Sequence, residues 1–203
     1  MDSGSFPFSK EVIDKLELYS DLIKFWQRRY NLIGSSTLGN IWERHFIDSA
    51  QLYTLLPSER TGKIVYDIGS GAGFPGMVLA IMGRKDLVLC EANAKKCLFL
   101  EEVKEKTGSN VIIDNIRAES LPLRSASALL ARAVTSLSSL LQLSLPLLAE
   151  NGICIFPKGI NWKKELLFAQ KRFHIEYKLV KSVTSKESSI IVINSVEKIN
   201  AYK

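Results

Sequence analysis

The run Asp67-Ile68-Gly69-Ser70-Gly71-Ala72-Gly73-Phe74-Pro75-Gly76 constrains this chain more than any other stretch. It follows directly on an apolar run, residues 64–68, that reads as a buried strand, and it leads into a helical pattern over 75–82. Glycines at alternate positions let the backbone turn tightly and come close to a ligand, and Pro75 suits a first helical turn. A strand, a tight turn and a helix in that order begin a crossover unit, and crossover units build parallel sheets.

The same rhythm continues along the chain. Further short apolar runs at 87–91, 110–113, 128–131 and 152–156 read as strands. Helical stretches at 94–106 (Leu98 and Val103 inward), about 138–148 and 162–172 separate or follow them. Residues 175–183 and 189–194 then follow each other across a gap rich in Ser, Lys and Glu that is too short for a crossover helix, so an antiparallel hairpin is expected. The expected fold is therefore α/β: a mostly parallel, seven-stranded, doubly wound sheet with a C-terminal antiparallel hairpin. Ahead of it, Val12, Leu16, Tyr19, Ile23, Trp26 and Tyr30 mark one face of an amphipathic helix over 9–30, with Ser9 as its N-cap. Asn40 with Glu43 forms a capping-box pattern that opens a second helix over 41–56, stopped by Pro57. Gly62 marks the change of rhythm, giving a helical extension, 1–60, on a main domain, 61–203, as one structural unit.

Ligands of an open parallel sheet bind beyond the carboxyl ends of its strands, so the residues that follow each strand are informative. Asp67 precedes the glycine turn and suits an amino group; Glu91 ends the second strand and is placed to accept from ribose hydroxyls. Asp67, Gly69, Gly71, Gly73 and Glu91 together point to S-adenosylmethionine. A dinucleotide is the rival, because 71–76 formally matches the dinucleotide glycine pattern; counted from the strand-proximal Gly69, however, that pattern asks for glycine where Phe74 stands. A purely structural turn is the bland alternative. Arg117, Arg132 and Lys158 follow the third, fourth and fifth strands and fall on the same rim, suited to a cofactor carboxylate or to nucleic-acid phosphates. His45 and Asp48 share a helix face, which places them over the cofactor mouth or merely in a local hydrogen bond. Lys95 and Lys96 open the helix after Glu91, as substrate contacts or as solvated cations.

Composition excludes several classes. With 46% hydrophobic residues the chain is not disordered, and with two histidines and three unpatterned cysteines a metal site is not expected. Cys90, Cys97 and Cys154 read as buried reduced thiols, which suits a cytoplasmic protein. No signal-peptide pattern is read at Met1-Asp2-Ser3-Gly4, and no apolar run reaches membrane length. The net charge of +6 is a mild pointer to a polyanion.

These residues resemble the bacterial glucose-inhibited division protein B family, the RsmG-type 16S ribosomal RNA guanine-N7 methyltransferases. The resemblance rests on Tyr30-Asn31-Leu32, Arg44-His45-Phe46-Ile47-Asp48-Ser49 and the turn through Gly76. It continues through Glu91 with Lys95-Lys96, Phe99-Leu100, Arg117-Ala118-Glu119, Arg132-Ala133 and Lys158-Gly159. Ala131, Pro157 and Ile33 depart from the pattern, as does the lack of an acid in 125–127. The resemblance implies a Rossmann-like class I methyltransferase, cofactor contacts at Gly69, Phe74, Ala118, Glu119 and Arg132, and Glu91 at the ribose. It also implies methyl transfer to a guanine N7 in the 530 loop, with small-subunit rRNA or an assembly intermediate as partner of a monomer. On that reading Arg117, Arg132 and Lys158 act in catalysis, and His45, Asp48, Lys95, Lys96 and Lys158 meet the RNA. Competing readings are a methyltransferase of another RNA or a small molecule, a nicotinamide oxidoreductase, and a non-enzymatic RNA-binding assembly factor.

Overall fold

The computed structural model describes residues 8–59 and 63–199. The N-terminal residues Met1 to Gly4, Gly62 and the expected boundary at 60/61 lie outside them.

Helix α1, Lys10–Gln27, starts where Ser9 accepts from the backbone N–H of Val12 at 3.3 Å, and it buries Leu16, Tyr19 and Ile23. The second helical region is not the single helix that the periodicity predicts. A 3-10 segment, Ser35–Asn40, leads into a widened π-helical turn, Trp42–Ile47. One short α turn (α2, Asp48–Ala50) and a 3-10 turn, Tyr53–Leu55, follow. Asn40 does not cap it either; its amide donates to the Glu43 carboxylate at 3.0 Å. β-Branched, aromatic and Asp/Ser residues hold an α-helix weakly, and several side chains of this segment are engaged by loops distant in sequence, as described below.

The seven strands are β1 Ile64–Ile68, β2 Leu87–Cys90, β3 Ile112–Asp114, β4 Ala126–Leu130, β5 Leu148–Lys158, β6 Phe173–Lys181 and β7 Ser189–Lys198. They form one sheet in the order β3-β2-β1-β4-β5-β7-β6. The first five strands are parallel, whereas β7 inserts antiparallel between β5 and β6. The expected doubly wound sheet with its terminal hairpin is thus observed. Helices α3 Gly76–Ile81, α4 Ala94–Thr107, α5 Leu137–Ser144 and α6 Trp162–Gln170 cover the sheet. Helix α5 stops earlier than expected: Leu145 still has helical dihedrals, but Pro146 has no N–H with which to continue the ladder. On α4 the buried residues are Cys97, Phe99, Leu100, Val103 and Thr107, while Leu98, expected inward, is 64% exposed on the opposite side of the 3.6-residue turn.

Successive strand residues face opposite sides, so the sheet separates two cores: Val65 joins one, Tyr66 and Ile68 the other. Helix α1 belongs to the first. Its Tyr19 is fully buried, lies 5.5 Å from the rings of both Phe46 and Phe74, and donates to the carbonyl of Ala72 inside the glycine turn. Trp26 donates to Glu102 of α4 at 2.7 Å. All three cysteines are buried and free; burial pushes the Cys154 thiol up to about 12.

Gly73 is the point where α1 meets the turn. Its φ is +93°, and an added Cβ would lie 2.5 Å from the Tyr19 hydroxyl and 2.8 Å from Leu100 and Met77. Gly73→Ala should therefore destabilise the fold by about 2–4 kcal/mol through strain and overpacking. Thermal unfolding checks it, against Gly83→Ala, where φ is +104° but no atom lies within 4 Å.

Candidate functional site

The sheet changes winding direction between β1 and β4, which leaves a crevice above their carboxyl ends. The loops that fill its rim are positioned by backbone bonds. The carbonyl of Cys90, at the end of β2, accepts from the N–H groups of Gly69 and Ser70 at 2.9 and 3.1 Å. Asp67 Oδ2 accepts from Gly76 N–H at 2.9 Å, and Glu91 Oε2 from Gly71 N–H at 2.8 Å. The two acids of the sequence pattern thus brace the turn from within. Asp67 is fully buried, its Oδ1 has no partner among the described residues, and it lies under the turn rather than in the cleft. Glu91 also accepts from Asn93 N–H at 2.8 Å through its other oxygen.

Beside the turn lies a cavity of about 690 Å³. Gly69, Gly71 and Phe74 line it, together with Lys96, His45, Asp48, Arg132 and Lys158. Of the other residues singled out from sequence, Asp67, Gly73, Glu91, Lys95, Arg117, Ala118 and Glu119 are outside its lining. Lys95 lies over the Tyr30 ring at 5.2 Å. Arg117 is exposed and follows the edge strand β3, three strand positions from β4. At about 4.8 Å per strand that is roughly 14 Å between the strand ends that carry Arg117 and Arg132.

The centre of the wall is a cluster around Arg132. Its Nη1 donates to the carbonyl of Arg44 at 3.0 Å and to Asp48 Oδ2 at 3.1 Å, and its Nη2 donates to His45 Nδ1 at 2.7 Å. The guanidinium lies 4.9 Å from the Phe74 ring centre, and His45 stacks on the same ring at 4.7 Å. Because Nδ1 accepts from a permanent cation, the proton of neutral His45 is on Nε2, which meets Thr37 Oγ1 at 2.9 Å. Burial, then Arg132 and Arg44, hold the imidazole down at about 3, so it stays neutral near pH 7. Lys158 is also partnered: its ammonium donates to the Thr135 carbonyl and to Glu165 Oε2, each at 2.9 Å.

Three contributors carried no local signal. Gln51, Thr184 and Glu165 reach the site only through tertiary pairing, although the Ser/Thr content of the 182–189 segment was visible. Among the described residues no cluster of three or more His, Cys, Asp or Glu is arranged to hold a metal, and no helix is long and apolar enough to cross a membrane. The residues at the turn fit an adenosyl cofactor: a backbone of small residues edges a roomy cleft, and the Arg132 Nε–H has no protein acceptor among the described residues.

Residues 12–193 match the family described as rRNA small subunit methyltransferase G (GidB). The chain is 40% identical over 193 residues to a ribosomal RNA small subunit methyltransferase G of Rhodospirillum centenum, covering 95% of this chain and 88% of that one. It is 39% identical to the same-named protein of Paramagnetospirillum magneticum, covering 94% and 92%. Among solved structures, a SAM dependent methyltransferase from Aquifex aeolicus superposes with TM-score 0.59 at 14% identity, covering 86% of this chain and 97% of that one, which is a likeness of fold.

Burial raises the Asp67 carboxyl from the ordinary carboxylate range to about 7, against the lowering effect of the Gly76 N–H. The folded state therefore holds this proton more tightly than the unfolded chain. The stability it contributes is complete below the ordinary carboxylate range and is lost as pH rises through about 7. Asp67→Asn, whose amide oxygen can still accept from Gly76, should show a smaller fall in Tm between pH 5.5 and 8 than the wild type; equal slopes in calorimetric scans would refute this.

Proposed function

The chain belongs to the rRNA small subunit methyltransferase G family, and from that membership we propose that it methylates N7 of a guanine in the 530 loop of small-subunit rRNA. It is an S-adenosylmethionine-dependent methyltransferase of Rossmann-like fold. The observation that carries the finer reading is one continuous cavity, edged by the glycine turn at Gly69–Phe74 and by the paired cations Arg132 and Lys158. We take residues 1–60 and 61–203 to act as one unit, because side chains of the extension line this same cavity. The partner on this reading is small-subunit rRNA or a subunit assembly intermediate in the cytoplasm, met by a monomer.

The cofactor supplies an electrophilic sulfonium methyl group. We assign its binding to the turn residues Gly69, Gly71 and Phe74, to Arg132 and to the region of Glu91, and we assign the RNA contacts to Lys96 and Lys158. Guanine N7 has an in-plane lone pair and loses no proton on methylation, so the reaction needs no general base. The site agrees with that requirement. His45 is neutral with Nδ1 bonded to Arg132 and Nε2 to Thr37, and Asp48 is ion-paired, so neither is free to take up a proton. Catalysis then comes from alignment of nucleophile and methyl, an effect that can reach about 7–11 kcal/mol. Methylation leaves positive charge on the purine. Pairing Arg132 with Asp48 and Lys158 with Glu165 keeps those cations from opposing it. The guanine must be unstacked to enter, so a looped or junction RNA is the expected form.

Borohydride/aniline cleavage at N7-methylguanosine in small-subunit rRNA should be lost on deletion of the gene and restored by the wild-type copy; cleavage that persists after deletion rejects this function. Lys158→Ala should lower methyl transfer by about tenfold or more through loss of a charge-assisted contact, while calorimetry finds cofactor affinity nearly unchanged. Unchanged turnover would remove Lys158 from the substrate side.

A further inference from the structure

The two carboxylate oxygens of Asp48 hold different walls of the cleft. Oδ2 accepts from Arg132 at 3.1 Å. Oδ1 accepts from the Thr184 hydroxyl at 2.8 Å and from the Gln51 amide at 3.0 Å. Thr184 belongs to the β6–β7 loop and is 136 residues away in sequence. Gln51 reinforces the link, because its Oε1 accepts from the backbone N–H of Val183 at 2.9 Å. An ion pair between Asp48 and Arg132 would be complete with one oxygen. Here one mostly buried carboxylate joins the Arg132 segment after β4, the helical segment of the extension and the terminal hairpin.

We propose that Asp48 is a positioning residue that fixes the cofactor-facing guanidinium of Arg132 and the β6–β7 loop in one arrangement, and that this loop is the wall receiving the acceptor guanine. The second half rests on the function proposed above. With N7 turned toward the methyl group, a guanine still offers O6 as acceptor and N1–H and the N2 amine as donors. The Thr184 oxygen, whose proton goes to Asp48, can still accept, and the Ser185 and Ser188 hydroxyls can both donate and accept, so this wall, in the lining that also holds Lys158, matches that mixed edge. The Asp48–Thr184 bond then sets where the wall stands relative to Arg132.

The test uses the full-length chain with Asp48→Asn, Thr184→Val and Thr184→Ser. S-adenosylhomocysteine affinity is read by calorimetry, and kcat and KM are read by tritium transfer from labelled cofactor to small-subunit rRNA. Asp48→Asn should weaken cofactor binding about tenfold or more, the scale of a lost charge-assisted bond. Thr184→Val should leave cofactor affinity within about twofold yet lower kcat/KM for RNA about tenfold, and Thr184→Ser should restore it. A purely structural bond would move unfolding temperature and not this split. Wild-type kinetics in Thr184→Val overturn the acceptor wall, and cofactor binding weakened equally by Thr184→Val and Asp48→Asn overturns the division of the two oxygens. If Asp48→Asn does not fold, the Thr184 pair alone decides. If the wild type transfers no methyl to rRNA, the proposed function fails with the guanine wall, and calorimetry on Asp48→Asn still upholds or overturns the hold on Arg132.

Discussion

The turn after β1 is closed by a carboxylate that the fold does not let reach water. Asp67 Oδ2 holds the N–H of Gly76 at the start of α3, while Ser70 and Gly69 hang from the Cys90 carbonyl on the neighbouring strand. Sealing a carboxyl in apolar surroundings is unfavourable for its charged form, as the rise to about 7 records, and an N–H donor offsets part of that cost. In return this bond, with those of the Cys90 carbonyl and of Glu91, holds the turn and the start of α3, and Phe74 is presented where Arg132 and His45 can lie against it.

The wall above that floor is assembled from segments remote in sequence. Residues 44–51 contribute a carbonyl, an imidazole, a carboxylate and an amide; the segment after β4 contributes one guanidinium; the terminal hairpin contributes a hydroxyl and a backbone N–H. The widened turn Trp42–Ile47 fits this arrangement, since its Arg44 carbonyl is engaged by Arg132. Departures from regular α geometry of this kind recur at functional sites. Residues 44–51 are therefore structural material of the cleft wall.

Much of this was legible in the residues. The glycine turn, the alternation of short apolar runs with helical ones, and the two last runs too close for a crossover led to the sheet that is observed. Those signals are local: periodicity, turn chemistry and connection length. What was not legible depends on three-dimensional proximity. Arg117 matches Arg132 and Lys158 in its position after a strand, but strand order puts it at the sheet edge and the other two on adjacent strands. His45 and Asp48 were recognisable as a pair on one face, yet nothing in their neighbourhood indicates an arginine 84 positions beyond Asp48 as their common partner. Glu91 has the position of a ribose acceptor, and only the fold reveals that Gly71 and Asn93 donate to it. The misplaced Leu98 has a different origin: α4 has little amphipathic contrast, so its inward face is set by the aromatic cluster around Phe99.

Helix α1 seats Tyr19 against Phe74 and Phe99 and its hydroxyl on Ala72, all contributed by residues more than fifty positions later. A chain made from its N-terminus therefore presents Leu16, Tyr19 and Ile23 before the surface that covers them exists. Helix α1 is thus made well before it is buried, since β1 through α4 must emerge before it can dock. Until then the apolar stripe of Leu16, Tyr19 and Ile23 is open to chaperones or to premature association.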